Sequence, residues 1–327
     1  MSYDTRHFER YQRAHYLTRR RSPHRGKWRA VLLFSLIALV CAGAFAAWNG
    51  RLEALAQQVL GPLAVGSSPA GASTTQASSG ITEADSSLLT VPTAISDVAD
   101  TRHLELINSG HPLSREADEV LLLSAAGQIP MLFGGVMLRQ EALTAVMEFS
   151  AAAQAAGKAE LFVSSGYRDY ALQKQLYEEA PDTSFVQPPN KSEHQTGLAV
   201  DVFPMGEDET TMASSGAGHW MAANSWRFGL ILRYPEGKQK TTGIAYEPWH
   251  FRYVGVPHAW FCAQNGLCFE EYIQHLKDTG GYSATLDGRK YTVLYQVPED
   301  GLIYLPEGTN YSVSSDNTDG FVVTVWE

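Results

Sequence analysis

Two short polar stretches constrain this 327-residue chain more than any other feature. The first, Ser192 to Phe203 (SEHQTGLAVDVF), carries an imidazole at His194 and a carboxylate at Asp201, and the second, EPWH, begins at Glu247 and ends at His250. Two histidines and one carboxylate suit a catalytic zinc ion, because they leave one coordination position open for water. A further carboxylate nearby can serve as the general base of a zinc hydrolase. The fold must therefore bring these two distant stretches together.

Charge is distributed unevenly along the sequence. Residues 1–29 hold nine lysines and arginines against two acidic residues, and residues 30–48 hold no charged side chain. The remainder carries 16 of the 25 basic and 33 of the 35 acidic residues, a net charge of −17. A domain this acidic does not bind nucleic acid by neutralising phosphates, so nucleic acid is excluded as a partner.

The 19 residues 30–48 (AVLLFSLIALVCAGAFAAW) are predicted to form a transmembrane helix. At 1.5 Å per residue they span roughly 28 Å, close to the thickness of the hydrocarbon core of a bilayer. The basic segment 1–29 before them predicts a cytoplasmic N-terminus. The alternative, a cleaved signal peptide, fits less well with so long a basic leader. The expected location is the cell membrane, with a single pass through the bilayer and the catalytic part outside the cytoplasm.

Residues 49–100 are predicted to be a stalk, or flexible linker. They include the run GSSPAGASTTQASSGITEADSS, which is rich in small polar residues and poor in large apolar ones. Such a run cannot bury enough surface to offset the entropy lost when a chain becomes ordered. Ordered structure is expected to return near Leu104.

Residues 101–281 are predicted to form a domain that mixes helices and strands. Helical spacing and capping predict helices over 139–157 and 170–180, the second capped by Asp169 and burying Leu172, Leu176 and Tyr177. Alternating and continuous apolar runs predict strands over 160–164, 197–203 and 244–254. In the strand over 197–203, Asp201 points away from the larger aliphatic side chains, at a strand end where a ligand can reach it.

Residues 282–327 are predicted to form a small β appendage. Apolar residues alternate along it, and Asp-Gly pairs at 287–288, 300–301 and 319–320 are typical of hairpin turns. At this size it is expected to pack on the preceding domain rather than fold alone. Just before it, Cys262 and Cys268 bracket a five-residue loop. A disulfide and two unpaired buried thiols both remain open for this pair.

With these residues in place, the chain resembles the zinc D,D-carboxypeptidases of bacterial cell walls, the family that includes VanY, VanX and the related L,D-carboxypeptidases. Three motifs carry the resemblance, in the family's order: Ser165-Gly-Tyr-Arg168, the run SEHQTGLAVD from Ser192 to Asp201, and Glu247-Pro-Trp-His250. The resemblance covers roughly residues 104–281. It implies the α+β fold shared with hedgehog signalling domains (hedgehog/DD-peptidase-like), a small antiparallel sheet flanked by helices with zinc on its open face.

The resemblance also implies a role for individual residues. His194, Asp201 and His250 would bind one zinc ion per chain, and Glu247 would be the catalytic base. Arg168 would lie near the scissile carbonyl or near the terminal carboxylate of the substrate. The implied activity is a D-Ala-D-Ala carboxypeptidase that removes terminal D-Ala from peptidoglycan stem peptides or their precursors.

Two further residues, Ser192 and Gln173, match positions that line the substrate pocket in related carboxypeptidases. Ordinary structural roles, a turn residue for Ser192 and a helix-surface residue for Gln173, remain open for both. Five other histidines (His103, His111, His219, His258 and His275) are interpreted as structural.

Several alternatives remain open for the function. A serine mechanism is excluded, because neither S-x-x-K nor G-x-S-x-G occurs in the sequence. An L,D-carboxypeptidase and a stem-peptide endopeptidase of the same fold both stay open. A different class, a non-catalytic zinc-bearing module that binds peptidoglycan, also stays open, although the carboxylate at Glu247 favours an enzyme.

Overall fold

The centre of the fold is a four-stranded antiparallel sheet, seen in a computed structural model that describes residues 81–132 and 134–327. Its strands are β4 (Leu161–Ser165), β5 (Ala199–Pro204), β6 (Leu230–Leu232) and β7 (His250–Tyr253), in the order β4-β5-β7-β6. The two inner strands pair so that Asp201 in β5 lies directly opposite His250 in β7. This register brings the two polar stretches of the sequence together.

Helices and further strands surround this sheet in the described part of the chain. The α-helices are α1 (Gln140–Ala155), α2 (Tyr170–Glu179), α3 (Glu209–Met212), α4 (Gly216–Asn224), α5 (Gln239–Thr242), α6 (Val256–Asn265) and α7 (Phe269–Thr279). The other strands are β1 (Val91–Ala94), β2 (Leu122–Ser124), β3 (Met137–Arg139), β8 (Gly281–Leu286), β9 (Arg289–Gln296), β10 (Leu302–Leu305), β11 (Asn310–Ser315) and β12 (Phe321–Trp326). The expected α+β architecture with small antiparallel sheets is confirmed.

Helix α1 covers one face of the central sheet. Its buried residues include Val146 and Phe149, which share an apolar core with Val200, Val202 and Phe251 of the inner strands. Successive side chains of a strand point to opposite faces, so Asp201, between the two valines, points away from α1. The helical core therefore occupies one face, and the polar residues of the two stretches lie on the other.

The β structure expected after residue 281 is present and packs on α6 and α7. Strands β8, β9, β11 and β12 form an antiparallel sheet in the order β11-β12-β9-β8. Its residues Tyr282, Val293 and Val322 share a buried core with Trp260 and Tyr272 of the two helices. The cysteines left open by the sequence, at 262 and 268, are both free and buried here.

The stalk expected over 49–100 is wrong at its C-terminal end. Val91–Ala94 forms β1 and pairs antiparallel with β10, Val91 lying opposite Leu305. Leu89 and Val98 pack against the core that contains Leu305. Few apolar residues suffice, because this segment packs against a core supplied mainly by the C-terminal strands instead of burying a core of its own. Residues 49–80 lie outside the described residues.

Two predicted elements of the central domain differ in detail. The strand expected over 244–254 begins only at His250, because Glu247–Trp249 forms a turn that contains Pro248, which has no N–H for a ladder. In α2 the residue that is fully buried is Gln173, while Leu172 is exposed and Leu176 and Tyr177 are only partly covered. The inner face of α2 therefore carries Gln173 together with the partly covered Leu176 and Tyr177, and Leu172 lies outside it.

The expected location in the cell membrane is wrong for the part of the chain that the structure describes. No helix within residues 81–132 and 134–327 is long and apolar enough to cross a bilayer. The predicted span over 30–48 and the basic segment 1–29 before it lie outside these residues.

Candidate metal centre and active site

Three buried side chains converge where β5 and β7 meet. The ligand atoms of His194, Asp201 and His250 all lie within 4.8 Å of one another. Asp201 and His250 face each other as register partners, and His194 precedes β5 in a short 3₁₀ turn over Glu193–Thr196. The structure thus brings together the three residues that the sequence singled out for metal binding.

Gly197 allows the His194 turn to lead directly into β5. Its φ of +71° lies in the left-handed region, and its N–H donates to the carbonyl of His194. A side chain here would also clash, because an added Cβ would lie 2.7 Å from Cδ2 of Leu122. The glycine in the motif is therefore required by both the backbone conformation and the space around it.

Hydrogen bonds set the orientation of the His194 ring. Its Nδ1 lies 2.7 Å from the carbonyl oxygen of Gly166, and a carbonyl can only accept. The hydrogen is therefore on Nδ1, which leaves the lone pair of Nε2 facing Oδ2 of Asp201 at 3.4 Å. Burial, together with the nearby Arg168, lowers the pKa of His194 to about 4, so the ring is neutral. A neutral imidazole with its second nitrogen fixed by a carbonyl is the usual form of a metal ligand.

A buried oxygen that lacks a partner indicates that the site suits a divalent cation. Oδ1 of Asp201 is buried without a hydrogen bond and lies 3.2 Å from Nδ1 of His250. Burial opposes ionisation of Asp201, but the two histidines outweigh it and hold the pKa well below its usual range. A buried, ionised carboxylate that leaves one oxygen without a partner beside two imidazoles is costly unless a cation meets that oxygen. Two nitrogen ligands and one oxygen ligand match zinc.

Glu247 lies beside this cluster in the turn before β7. Its Oε2 is 3.5 Å from Nδ1 of His250, and its backbone N–H donates to the carbonyl of Tyr234. Burial and, less strongly, the charge of Asp201 raise its pKa to about 8, although His250 and Arg168 act in the opposite direction. A carboxylate with a pKa near neutrality can both accept and return a proton.

Arg168 is paired directly with Asp201. Its Nη2 donates to Oδ2 of Asp201 at 3.0 Å, its Nε to Oγ of Ser165 at 3.0 Å, and its Nη1 to Oε1 of Gln173 at 3.3 Å. The guanidinium is thus held at the edge of the cluster by three separate groups. It is the cation that the structure places closest to Asp201 in the described part of the chain.

The two residues expected to line the substrate pocket occupy different environments. Gln173 is fully buried; its amide donates to the carbonyl of Gln187 at 2.6 Å while its oxygen accepts from Arg168. It therefore supports Arg168. Ser192 is also buried and begins the 3₁₀ turn, its carbonyl accepting from the N–H of Gln195. A direct role of either residue in substrate binding stays a prediction.

Aromatic rings enclose the cluster. The ring of Tyr234 lies 4.9 Å from that of His250, and Trp249 stacks on Phe203 at 6.0 Å. Tyr234 was not singled out from the sequence, because no motif includes it and only the fold brings it to the site.

A buried ionic cluster next to the site was also not predicted from the sequence. Glu193, Arg233 and Arg252 have almost no exposed surface, and Arg233 forms a two-bond contact with Glu270 of α7. One signal was present in the sequence: Arg252 shares a strand face with His250, two residues away. A charged residue at a central strand position calls for a buried partner.

With this geometry established, comparison with known proteins defines the class. A family profile described as VanY, D-alanyl-D-alanine carboxypeptidase, matches residues 135–256. A D-alanyl-D-alanine carboxypeptidase from Enterococcus faecium is 35% identical over 231 residues, which cover 68% of this chain and 75% of that protein. A bifunctional D-Ala-D-Ala dipeptidase and carboxypeptidase, VanXYC of Enterococcus gallinarum, is 35% identical over 189 residues, 54% of this chain and 96% of that one.

A solved structure extends the similarity to the fold. The vancomycin resistance D,D-dipeptidase VanXYg, solved with a D-Ala-D-Ala phosphinate analogue, aligns with a TM-score of 0.62 and 28% identity, covering 72% of this chain and 98% of that one. The chain belongs to the VanY-type D-alanyl-D-alanine carboxypeptidase family. It is a zinc-dependent peptidase, and the resemblance stated from its three motifs is confirmed.

Proposed function

We propose that this chain is a D,D-carboxypeptidase that removes the terminal D-Ala from peptidoglycan stem peptides. One observation carries the proposal. In the buried cluster of His194, Asp201 and His250, Glu247 lies beside His250 and Arg168 is paired with Asp201. That set contains a zinc site, a proton acceptor and a receptor for a carboxylate, which are the three parts that zinc-dependent removal of a C-terminal residue requires.

The three clustered residues are proposed as the zinc ligands, His194 through Nε2 and His250 through Nδ1, since these nitrogens face the Asp201 carboxylate. Zinc, when bound, supplies a Lewis acid that activates water and polarises a carbonyl. Burial lowers the pKa of His250, but Asp201 and Glu193 outweigh it and raise it to about 9. The same field of carboxylates that would hold a proton on His250 attracts a divalent cation.

Glu247 is proposed as the general base and then the general acid. Its carboxylate removes a proton from the attacking water as oxygen bonds to the scissile carbonyl carbon. It returns that proton to the amide nitrogen as the C–N bond breaks, so that free D-Ala leaves as a neutral amine. Because burial raises the pKa of Glu247 to about 8, both transfers are close to balanced at neutral pH.

Arg168 is proposed to pair with the terminal carboxylate of the substrate or with the negative charge that builds on the carbonyl oxygen. Its contacts to Ser165 and Gln173 fix the plane of the guanidinium, which matches a carboxylate with two parallel hydrogen bonds. A fixed cation in a strongly acidic chain also explains how a peptide with a free carboxylate is attracted at all. This residue is the reason to favour a carboxypeptidase over an endopeptidase.

The proposal is tested by incubating the purified full-length chain with stem peptides and identifying the products by mass spectrometry. Release of one D-Ala from the pentapeptide is the expected result, and release from the tetrapeptide alone would indicate an L,D-carboxypeptidase instead. A pentapeptide with an amidated C-terminus is the matched substrate control and should be cleaved far more slowly. Chelation should abolish cleavage, and no cleavage of any peptide by the zinc-loaded chain would refute the catalytic interpretation.

A further inference from the structure

A carboxylate that the proposed mechanism does not use lies directly behind the metal cluster. Glu193 precedes His194 in the chain and has 1% of its surface exposed. Its Oε1 accepts from Nε of Arg233 at 2.8 Å and forms an ion pair with Nη1 of Arg252 at 3.1 Å. One oxygen of this carboxylate is therefore held from behind by two arginines.

The other oxygen of Glu193 faces His250. Oε2 is buried without a hydrogen bond and lies 3.8 Å from Nε2 of His250, which is also buried without one. The opposite ring nitrogen, Nδ1, is the one that faces Asp201 at 3.2 Å. The two atoms without partners thus face each other across a gap slightly longer than a hydrogen bond.

Their chemistry is complementary once His250 acts as a ligand. A neutral imidazole carries one hydrogen, so a ring that binds a metal through Nδ1 must carry it on Nε2. Nε2–H is then a donor, and the ionised Oε2 of Glu193, 3.8 Å away, is the acceptor nearest to it among the ion-pair contacts of His250 at that nitrogen. Carboxylates in this position are known to fix the orientation of a metal-bound histidine and to make it a better ligand.

We propose that Glu193 is a positioning residue that fixes the His250 imidazole in the tautomer and orientation needed to bind zinc through Nδ1. The proposal rests on the ligand set proposed above. The same proposal gives the two buried arginines a structural role. By holding Oε1, Arg233 and Arg252 keep the carboxylate from rotating towards the metal, where it would compete with Asp201.

The surroundings of the arginines support this arrangement. Arg233 is bound by both oxygens of Glu270, at 2.7 and 2.9 Å, and Arg252 donates to the carbonyl of His103 at 3.0 Å. The guanidinium groups also lie 5.5 and 5.8 Å from the ring centre of Phe269. Two carboxylates therefore balance two guanidinium groups, and the fixed contacts to α7 and to the backbone make this support rigid.

The test compares zinc dissociation constants, measured by competition with a chromophoric chelator, for the wild type and two variants of equal charge change. Glu193→Gln keeps the size of the side chain but replaces an acceptor by an amide whose NH₂ group is directed at Nε2. It should weaken zinc binding about 10- to 100-fold. Glu270→Gln removes one charge from the same arginine without touching His250, and its zinc affinity should stay within about twofold of the wild type.

A second readout does not depend on either variant folding. Nitrogen NMR of the zinc-loaded wild type should show His250 bound through Nδ1 with a slowly exchanging hydrogen on Nε2. Zinc bound through Nε2, unchanged affinity in Glu193→Gln, or equal weakening in both variants would each overturn the proposal. Failure of the proposed function is distinguishable, because a wild type that binds zinc and releases no D-Ala leaves these affinity and NMR results intact.

Discussion

Acidification is expected to weaken the contact between the C-terminal sheet and the helices through one buried histidine. His258 in α6 is 5% exposed; its Nδ1 lies 2.5 Å from the hydroxyl of Tyr272 in α7 and its Nε2 lies 3.1 Å from the hydroxyl of Thr324 in β12. A neutral ring satisfies both contacts, because each hydroxyl can donate or accept. Burial lowers the pKa of His258 from 6.5 to about 3, since a charged ring would lose its water.

The sign and size of the effect follow from this shift. Because the pKa is lower in the folded chain, unfolding takes up a proton at His258 at any pH between about 3 and 6.5. The stabilisation is therefore complete above the unfolded pKa and is lost as the pH falls towards the folded one. Each pH unit in this range is worth about 1.4 kcal/mol, so a change from pH 7.5 to pH 5 removes about 2 kcal/mol of unfolding free energy.

Urea unfolding of the full-length chain, followed by tryptophan fluorescence at both pH values with chelator present, measures this loss. Other groups titrate as well, so the informative quantity is the difference between variants. The loss should be about 2 kcal/mol smaller in His258→Gln than in the wild type. His219→Gln, which replaces an exposed histidine, should behave as the wild type. Equal losses in the wild type and His258→Gln would refute the reasoning.

Three further changes test the active site and its scaffold. Glu247→Gln should lower kcat about 10²- to 10⁴-fold in a D-Ala release assay, while metal analysis should show unchanged zinc content. A loss of kcat below tenfold would contradict the role of Glu247 as base. Arg168→Lys lacks the planar fork and should lower kcat/KM about 10²- to 10³-fold on the pentapeptide, but little on its C-terminal amide, in the same assay. Gly197→Ala should lose more than about 2 kcal/mol of unfolding free energy in urea, because backbone strain adds to the clash with Leu122. The control Gly127→Ala has a similar φ of +76° but no atom within 4 Å of the added Cβ, so it should lose less. Equal losses in the two variants would show that the clash has no cost.

The candidate metal centre was predictable from the sequence because the positions of its residues follow local rules. Asp201 lies within a strand of alternating pattern, and Gly197 ends the turn that carries His194, so both positions follow from spacing alone. The pairing of Asp201 with His250 needed only two neighbouring antiparallel strands. Residue type then determined the chemistry, since imidazole and carboxylate have few other reasons to occur together in a buried strand pair.

The parts that sequence reasoning missed depend on contacts between distant segments. In α2, a leucine was expected to be buried, yet Gln173 takes the inner position because the carbonyl of Gln187 and the guanidinium of Arg168 both need a partner there. Likewise Val91–Ala94 is too short to predict a strand and has a proline at its second position, and its partner β10 lies far along the chain. A single sequence contains no signal for either contact.

The ionic cluster explains why so acidic a chain buries arginines beside its metal site. A buried ion pair usually contributes little net stability, because desolvation of both charges offsets their attraction. Arg233 and Arg252 nevertheless lie fully buried against Glu193, and Arg233 also binds Glu270. We therefore propose that their role is geometric: they hold the Glu193 carboxylate, which would otherwise be free to turn towards the proposed zinc site. Under the same proposal, their positive charge offsets that of Glu193 and leaves Asp201 as the carboxylate that would meet the cation.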